Sequence, residues 1–115
     1  MQKIIVIGGT GLLGTEFKKI DNDVLCIGSE YDIFKFKKLK VYLDKINPDI
    51  IINCAAILSI HVDAAPINSL NVNVIGAANV SKYCIANDKR LVYISTDYVY
   101  PGISGNYKET DHLYP

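Results

Sequence analysis

Four short stretches of the chain are apolar without alternation: Lys3 to Ile7, Val24 to Ile27, Ile50 to Ile52, and Leu91 to Ile94. A strand open to water on one face alternates polar and apolar residues. Continuous runs this short instead predict strands covered on both faces, as in a parallel sheet. Between them the period changes to that of helices. Leu13, Phe17 and Ile20 recur at four and three residues, and Phe36, Leu39, Leu43 and Ile46 at three, four and three, each predicting one buried stripe. Asn47-Pro48 stops the second helix ahead of the third strand.

A longer third helix is expected from about Ile67 to Asn87, carrying Leu70, Val74, Ala77, Ala78 and Ile85, with Gly76-Ala77-Ala78 small enough to lie close to a sheet. The order β-α-β-α-β-α-β runs on without a linker, repeat or low-complexity tract. Right-handed crossovers then predict an α/β fold of the Rossmann type: a doubly wound parallel sheet of about four strands with helices on both faces. Its first strand would lie near the topological switch point, where ligands bind.

The first predicted strand runs into Gly8-Gly9-Thr10-Gly11-Leu12-Leu13-Gly14. Glycine at Gly8 permits a tight turn off the strand, Gly11 lets backbone approach a pyrophosphate, and Gly14 lets the helix pack against the strand. Free N–H groups around Gly11, Leu12 and Leu13, together with the helix dipole, make an anion site. Glycines alone could serve only the turn. Their place, after a buried strand and opening an amphipathic helix within a βαβ unit, favours dinucleotide binding. No Gly-Lys-Ser or Gly-Lys-Thr follows, which disfavours a Walker phosphate loop.

The second strand ends Cys26-Ile27-Gly28-Ser29-Glu30-Tyr31-Asp32. An acid at the strand tip favours NAD by accepting hydrogen bonds from the adenosine ribose, and an arginine nearby favours the 2′-phosphate of NADP. Glu30 and Asp32 fall a little late for the first and no arginine serves the second, so NADH and NADPH both stay open.

Composition removes other classes. Twelve basic residues balance twelve acidic ones, so no charge excess points to nucleic acid. The apolar start, Met1 to Ile7, is too short for a signal peptide or membrane helix, and a cytoplasmic protein with no membrane partner is expected. Cys26, Cys54 and Cys84 are far apart in apolar sequence and are expected to be buried free thiols. His61 and His112 lack ligand-spaced partners and read as loop or surface residues, so no metal is expected. Asn73 is expected to be structural, tying its helix to neighbouring backbone.

Three segments together carry a resemblance: the Gly-x-x-Gly-x-x-Gly loop, Asn53-Cys54-Ala55-Ala56 after the third strand, and Ile94-Ser95-Thr96-Asp97-Tyr98-Val99-Tyr100 after the fourth. They resemble the extended short-chain dehydrogenase/reductase family, and within it the dTDP-4-dehydrorhamnose reductases. The likeness extends to Tyr31-Asp32-Ile33, Pro48 to Asn53, Asn71 to Gly76, Tyr107-Lys108-Glu109-Thr110-Asp111 and Pro115. It implies reduction of the keto group of a nucleotide-linked 4-keto sugar with NADPH or NADH. The backbone of Gly11 to Leu13 would hold the pyrophosphate, Asp32 and Ile33 would flank the adenine side, and Ala55 and Ala56 would line the nicotinamide ribose. Thr96, with Ser95 as fallback, would polarise the substrate carbonyl, and Asp97 and Tyr98 would contact the sugar. Without the resemblance, Ala55-Ala56 could simply pack under a helix, and Thr96 could be a turn or cap residue. Glu109 and Asp111 are expected to be solvated.

The family's general acid is a tyrosine followed four residues later by a lysine, which lowers its pKa. Tyr31 and Lys35 have that spacing but fall on the adenine side, a coincidence. Residues 1–115 are therefore expected to be the front portion of a truncated dinucleotide-binding domain, ending before the catalytic pair and without the carboxyl-terminal substrate domain. Such a chain is expected to bind cofactor weakly at most, without turning over, and could form a homo-oligomer. Two other functions fit the same signature: a non-catalytic protein resembling the β regulatory subunit of methionine adenosyltransferase, and a sugar-nucleotide epimerase or dehydratase.

Overall fold

A computed structural model describes residues 1–114; Pro115, one of the positions carrying the resemblance, lies outside the described residues. The chain runs β1 (Ile4–Ile7), α1 (Leu12–Ile20), β2 (Leu25–Ile27), α2 (Phe36–Ile46), β3 (Ile50–Asn53), α3 (Ser59–Val62), α4 (Pro66–Leu70), a π-helical segment (Asn71–Gly76), α5 (Ala77–Ala86), β4 (Arg90–Tyr93) and a 3₁₀ turn (Asp97–Val99). All pairings in the sheet are parallel, in the order β2-β1-β3-β4. This is the doubly wound arrangement that the apolar runs predict. The β-branched residues filling β1 and β3 suit a pleat packed on both sides.

The alternation of side chains divides β1 between two cores. Ile5 and Ile7, with Ile27 and Ile51, meet Leu39 and Leu43 of α2 and Val80, Tyr83 and Cys84 of α5. Val6 and Ile52 turn to the other face, where Val24 and the half-buried Phe17 of α1 cover them. One face therefore holds α2 and α5 and the other α1. Asn47 ends α2 in the left-handed conformation, with φ 50°, and Pro48 follows.

Three packing expectations are corrected. The α1 stripe does not form as predicted, because Leu13 is 44% and Ile20 84% exposed. The buried residue of α1 is Gly14, and the contact it makes turns Leu13 and Ile20 away. In the long helix, Leu70, Val74 and Ile85 are exposed while Ser69, Gly76, Val80, Tyr83 and Cys84 are buried. This helix is apolar on two sides, so periodicity alone does not choose between them. Gly76 decides, since a Cβ there would come within 2.5 Å of the Ile33 side chain. Finally, β4 is not covered on both faces: Leu91 packs into the larger core, but Val92, Tyr93 and Ile94 are exposed. Cys26 and Cys54 are free and half-buried, and Cys84 is free and fully buried. No helix among the described residues is long and apolar enough to cross a membrane.

The close approach of α1 to β1 gives a stability prediction. A Cβ on Gly14 would lie 2.5 Å from the Gly9 Cα and closer still to the Gly8 carbonyl oxygen. Both are backbone atoms and neither can swing aside. Gly14→Ala should cost about 1–3 kcal/mol of unfolding free energy, measured by urea denaturation. A native-like midpoint would show that α1 can withdraw from the strand at no cost.

Candidate functional site

The sheet order places β2 on one side of β1 and β3 on the other, so chains leaving the carboxyl ends of β1 and β3 part to opposite faces. A cleft of about 310 Å³ opens there, lined by Gly8, Gly11, Asp32, Ile33, Ala55 and Ala56 among others. Six of the residues singled out from sequence thus meet in one place.

The floor is the loop after β1. Gly8 has φ +78°, and a Cβ on it would lie 2.7 Å from the Ala55 nitrogen, so this turn excludes every side chain. Gly9 N–H donates to the Ile27 carbonyl at 2.8 Å, tying the loop to β2, and Gly11 N–H donates to the Gly8 carbonyl at 3.0 Å. Gly11 then caps α1 in extended conformation without a side-chain hydrogen bond. Among the described residues nothing accepts from the N–H groups of Leu12 or Leu13. The start of α1 therefore presents unmatched donors and the positive end of its dipole. The side chains of Leu12 and Leu13 are exposed and do not line the cleft, so any contribution of theirs comes from backbone. Gly14 lies behind the loop and holds it in shape.

The far wall is set by asparagines. Asn53, buried at the end of β3, accepts from Ala55 N–H through Oδ1 at 3.1 Å, fixing the turn that carries the two alanines. Its Nδ2 is buried without a partner among the described residues. Asn73 of the π segment accepts from Ile57 N–H at 2.7 Å and donates to the Ile57 carbonyl at 2.9 Å. It is structural, as expected, and braces the wall. Asn79 Nδ2 donates to the Ile33 carbonyl at 2.9 Å, while the bare face of Gly76 receives the Ile33 side chain. Burial pushes the Cys54 thiol pKa up, with Cys26 adding to it. Cys54 lines the cleft, and its burial disfavours the thiolate.

On the β2 side, Lys35 forms an ion pair with Asp32 at 2.9 Å and holds its carboxyl below the usual range. Glu30 folds back to accept from Gly28 N–H at 3.0 Å, and that bond lowers its pKa. Sequence reasoning did not identify Thr10, Gly28, Tyr31, Phe34, Ile57 or Val72 as lining residues. Tyr31 and Phe34 flank the matched Asp32-Ile33 and could have been read from it. Ile57 and Val72 reach the cleft only through the Asn73 brace, which leaves no local signal.

Thr96, Asp97 and Tyr98 do not line this cleft. They sit on the same carboxyl edge of the sheet, just past β4, whose Tyr93 is in register with Asn53. Thr96 Oγ1 accepts from Tyr98 N–H at 3.2 Å and caps the 3₁₀ turn; all three residues are exposed. Ser95 is exposed beside them. Glu109 and Asp111 are exposed as expected, and Asp111 also accepts from Lys108 N–H at 2.8 Å. His61 in α3 and His112 are surface residues, and no cluster of three or more His, Cys, Asp or Glu among the described residues could hold a metal.

Residues 1–115 match the family model described as RmlD substrate binding domain. A dTDP-4-dehydrorhamnose reductase of Aggregatibacter actinomycetemcomitans is 34% identical over all of this chain and 42% of its own length. The methionine adenosyltransferase 2 subunit beta of Danio rerio is 32% identical over 96% of this chain and 38% of its own. Among solved structures, the Bacillus anthracis dTDP-4-dehydrorhamnose reductase in complex with NADP superposes with TM-score 0.81 at 30% identity, covering 89% of this chain and 39% of that one. The chain thus spans about two-fifths of the length of the relatives it matches.

Asn73→Ala removes both hydrogen bonds to Ile57 and strands a part-buried N–H and carbonyl. It should lower stability by about 1–3 kcal/mol. Calorimetric or urea unfolding checks this, and an unchanged transition would mean that the cleft wall stands without the brace.

Proposed function

The chain belongs to the RmlD substrate binding domain family, and we propose that it forms the dinucleotide-binding part of a reductase acting on the keto group of a nucleotide-linked 4-keto sugar, with NADH or NADPH as cofactor. The observation that carries this reading is the uncapped start of α1, aimed into a crevice at the topological switch point and faced by two alanines. The donor set fits the group. Unmatched N–H groups of Leu12 and Leu13 suit a pyrophosphate, and Gly11 keeps the approach open, since a Cβ there would meet only the Gly8 carbonyl oxygen, at 3.3 Å.

Asp32 and Ile33 flank the adenine side in this reading, and Ala55 and Ala56 leave flat space for the nicotinamide ribose. Bound there, the cofactor would supply the hydride that reduces the keto carbon. Thr96 is the residue we assign to the carbonyl. Its oxygen accepts from Tyr98 N–H and its hydroxyl donates to Asp97 Oδ1 at 3.5 Å, a long bond that the hydroxyl would exchange for the keto oxygen as negative charge develops. Asp97 and Tyr98 stand exposed beside it to contact the sugar.

The second reading, a regulatory protein, is favoured by the identity with the methionine adenosyltransferase 2 subunit beta. The two part on chemistry. Either reading is compatible with a dinucleotide in the cleft, but only a reductase containing this chain would oxidise NAD(P)H when given a dTDP-4-keto sugar, a loss of absorbance at 340 nm. Absence of that oxidation in a protein that binds the cofactor would select the regulatory reading.

Binding itself is tested with Gly11→Ser. The Gly11 backbone, φ −80° and ψ 179°, is that of an ordinary N-cap, so serine can cap the first-turn N–H groups and leave stability within about 1 kcal/mol of the parent. Those are the donors a pyrophosphate needs. Affinity for NADH or NADPH should therefore fall roughly tenfold or more by calorimetric titration, the equivalent of about 1.4 kcal/mol. Failure of both nucleotides to bind the parent chain at millimolar concentration would refute the proposal.

A further inference from the structure

The tip of β2 bears on a choice that the sequence leaves open. Ile27 is the last residue of that strand, and the next position, where a side chain would face an adenosine ribose, is Gly28. The space is filled all the same. Glu30 turns back so that Oε1 accepts from Gly28 N–H at 3.0 Å, and Oε2 lies 2.6 Å from where a Gly28 Cβ would stand. The Thr10 side chain of the glycine loop lies 2.9 Å from the same point. Gly28 and Thr10 both line the cleft; Glu30 is not itself a lining residue, but its carboxylate stands beside both of them.

Charge at this spot is not neutralised. Lys35 is committed to Asp32, and Lys38 donates to the main-chain carbonyl of Glu30 at 3.2 Å. Neither lysine forms an ion pair with the Glu30 carboxylate; the pairs among the described residues are Lys19–Glu16, Lys35–Asp32 and Lys40–Asp44. An ionised, unpaired carboxylate at a β2 tip accepts from the vicinal hydroxyls of an adenosine ribose and repels a phosphate on the 2′ oxygen.

We infer that Glu30 is the specificity-determining residue of the cleft, standing in for a strand-tip acid by folding back over Gly28, so that the chain takes NADH in preference to NADPH. The inference rests on the dinucleotide reading above. Gly28 is what makes it possible, because any side chain at that position would displace the carboxylate.

The test is calorimetric titration of the whole chain with NADH and with NADPH, in the parent and in Glu30→Gln, with circular dichroism to confirm an unchanged fold. Glutamine keeps the length and can still accept from Gly28 N–H, but it carries no charge. The parent should bind NADH at least about tenfold tighter than NADPH, and Glu30→Gln should bring the two within about threefold, mostly by gain of NADPH affinity. Equal affinities in the parent, or a ratio unmoved by the substitution, would overturn the role of Glu30 while leaving the dinucleotide reading intact. Tighter binding of NADPH that is lost in Lys38→Ala would also overturn it, assigning the strand tip to the lysine. Binding of neither nucleotide would remove both proposals together.

Discussion

Everything in this molecule is arranged around one contact between backbones, in which α1 lies on the end of β1 with no side chain between them. Gly14 sits against Gly8 and Gly9, and Gly8 sits against Ala55 with φ in the left-handed region. The approach of α1 to β1 forbids a Cβ at Gly14, while Gly8 is held against Ala55 and Gly9 against Cys26 of β2, and the first N–H groups of α1 are left without acceptors among the described residues. A helix standing one side chain farther off would cover Val6 equally well and would leave those donors out of reach of anything lying over the strand ends. Fold and site therefore share one steric requirement.

That requirement was legible in the chain, because glycines at Gly8, Gly11 and Gly14 come directly after a β-branched run and no other common motif needs them so spaced. The four strands were legible for the same reason: Ile4–Ile7 and Ile50–Asn53 have no polar face to show. Facing was less legible. Periodicity identifies a helix by its apolar stripe, yet α1 turns Gly14 to the strand and leaves Leu13 and Ile20 in solvent, while α5 has two apolar sides. Where a helix turns a glycine to the sheet, as α1 does with Gly14, hydrophobicity points the wrong way.

The site was partly legible. Ala55 and Ala56 line the cleft with Asp32 and Ile33, whereas Thr96, Asp97 and Tyr98 lie on the same edge of the sheet outside it. Residues such as Ile57 and Val72 depend on the Asn73 brace, a contact across sixteen positions, and nothing in their own neighbourhood marks them. Asn73 itself was readable, since an amide in a half-buried helix must find both a donor and an acceptor, and Ile57 supplies the two.

Glu30 is the sharpest case of information that resides in three dimensions. Counted along the chain it stands three residues past Ile27, too late for a strand-tip acid. Counted in space, its carboxylate occupies the position that a Gly28 side chain would hold, because glycine leaves that volume empty and offers a bare N–H to hold the carboxylate there. The gap in the pattern and the late acid are thus one device, and reading either alone gives the opposite answer: the glycine implies no acid at the tip, and the glutamate implies an acid with nothing to do. A sequence rule that fixes a residue type at one position misses this kind of substitution, since what the cofactor would meet is a charge at a place, and two neighbouring residues can supply it jointly.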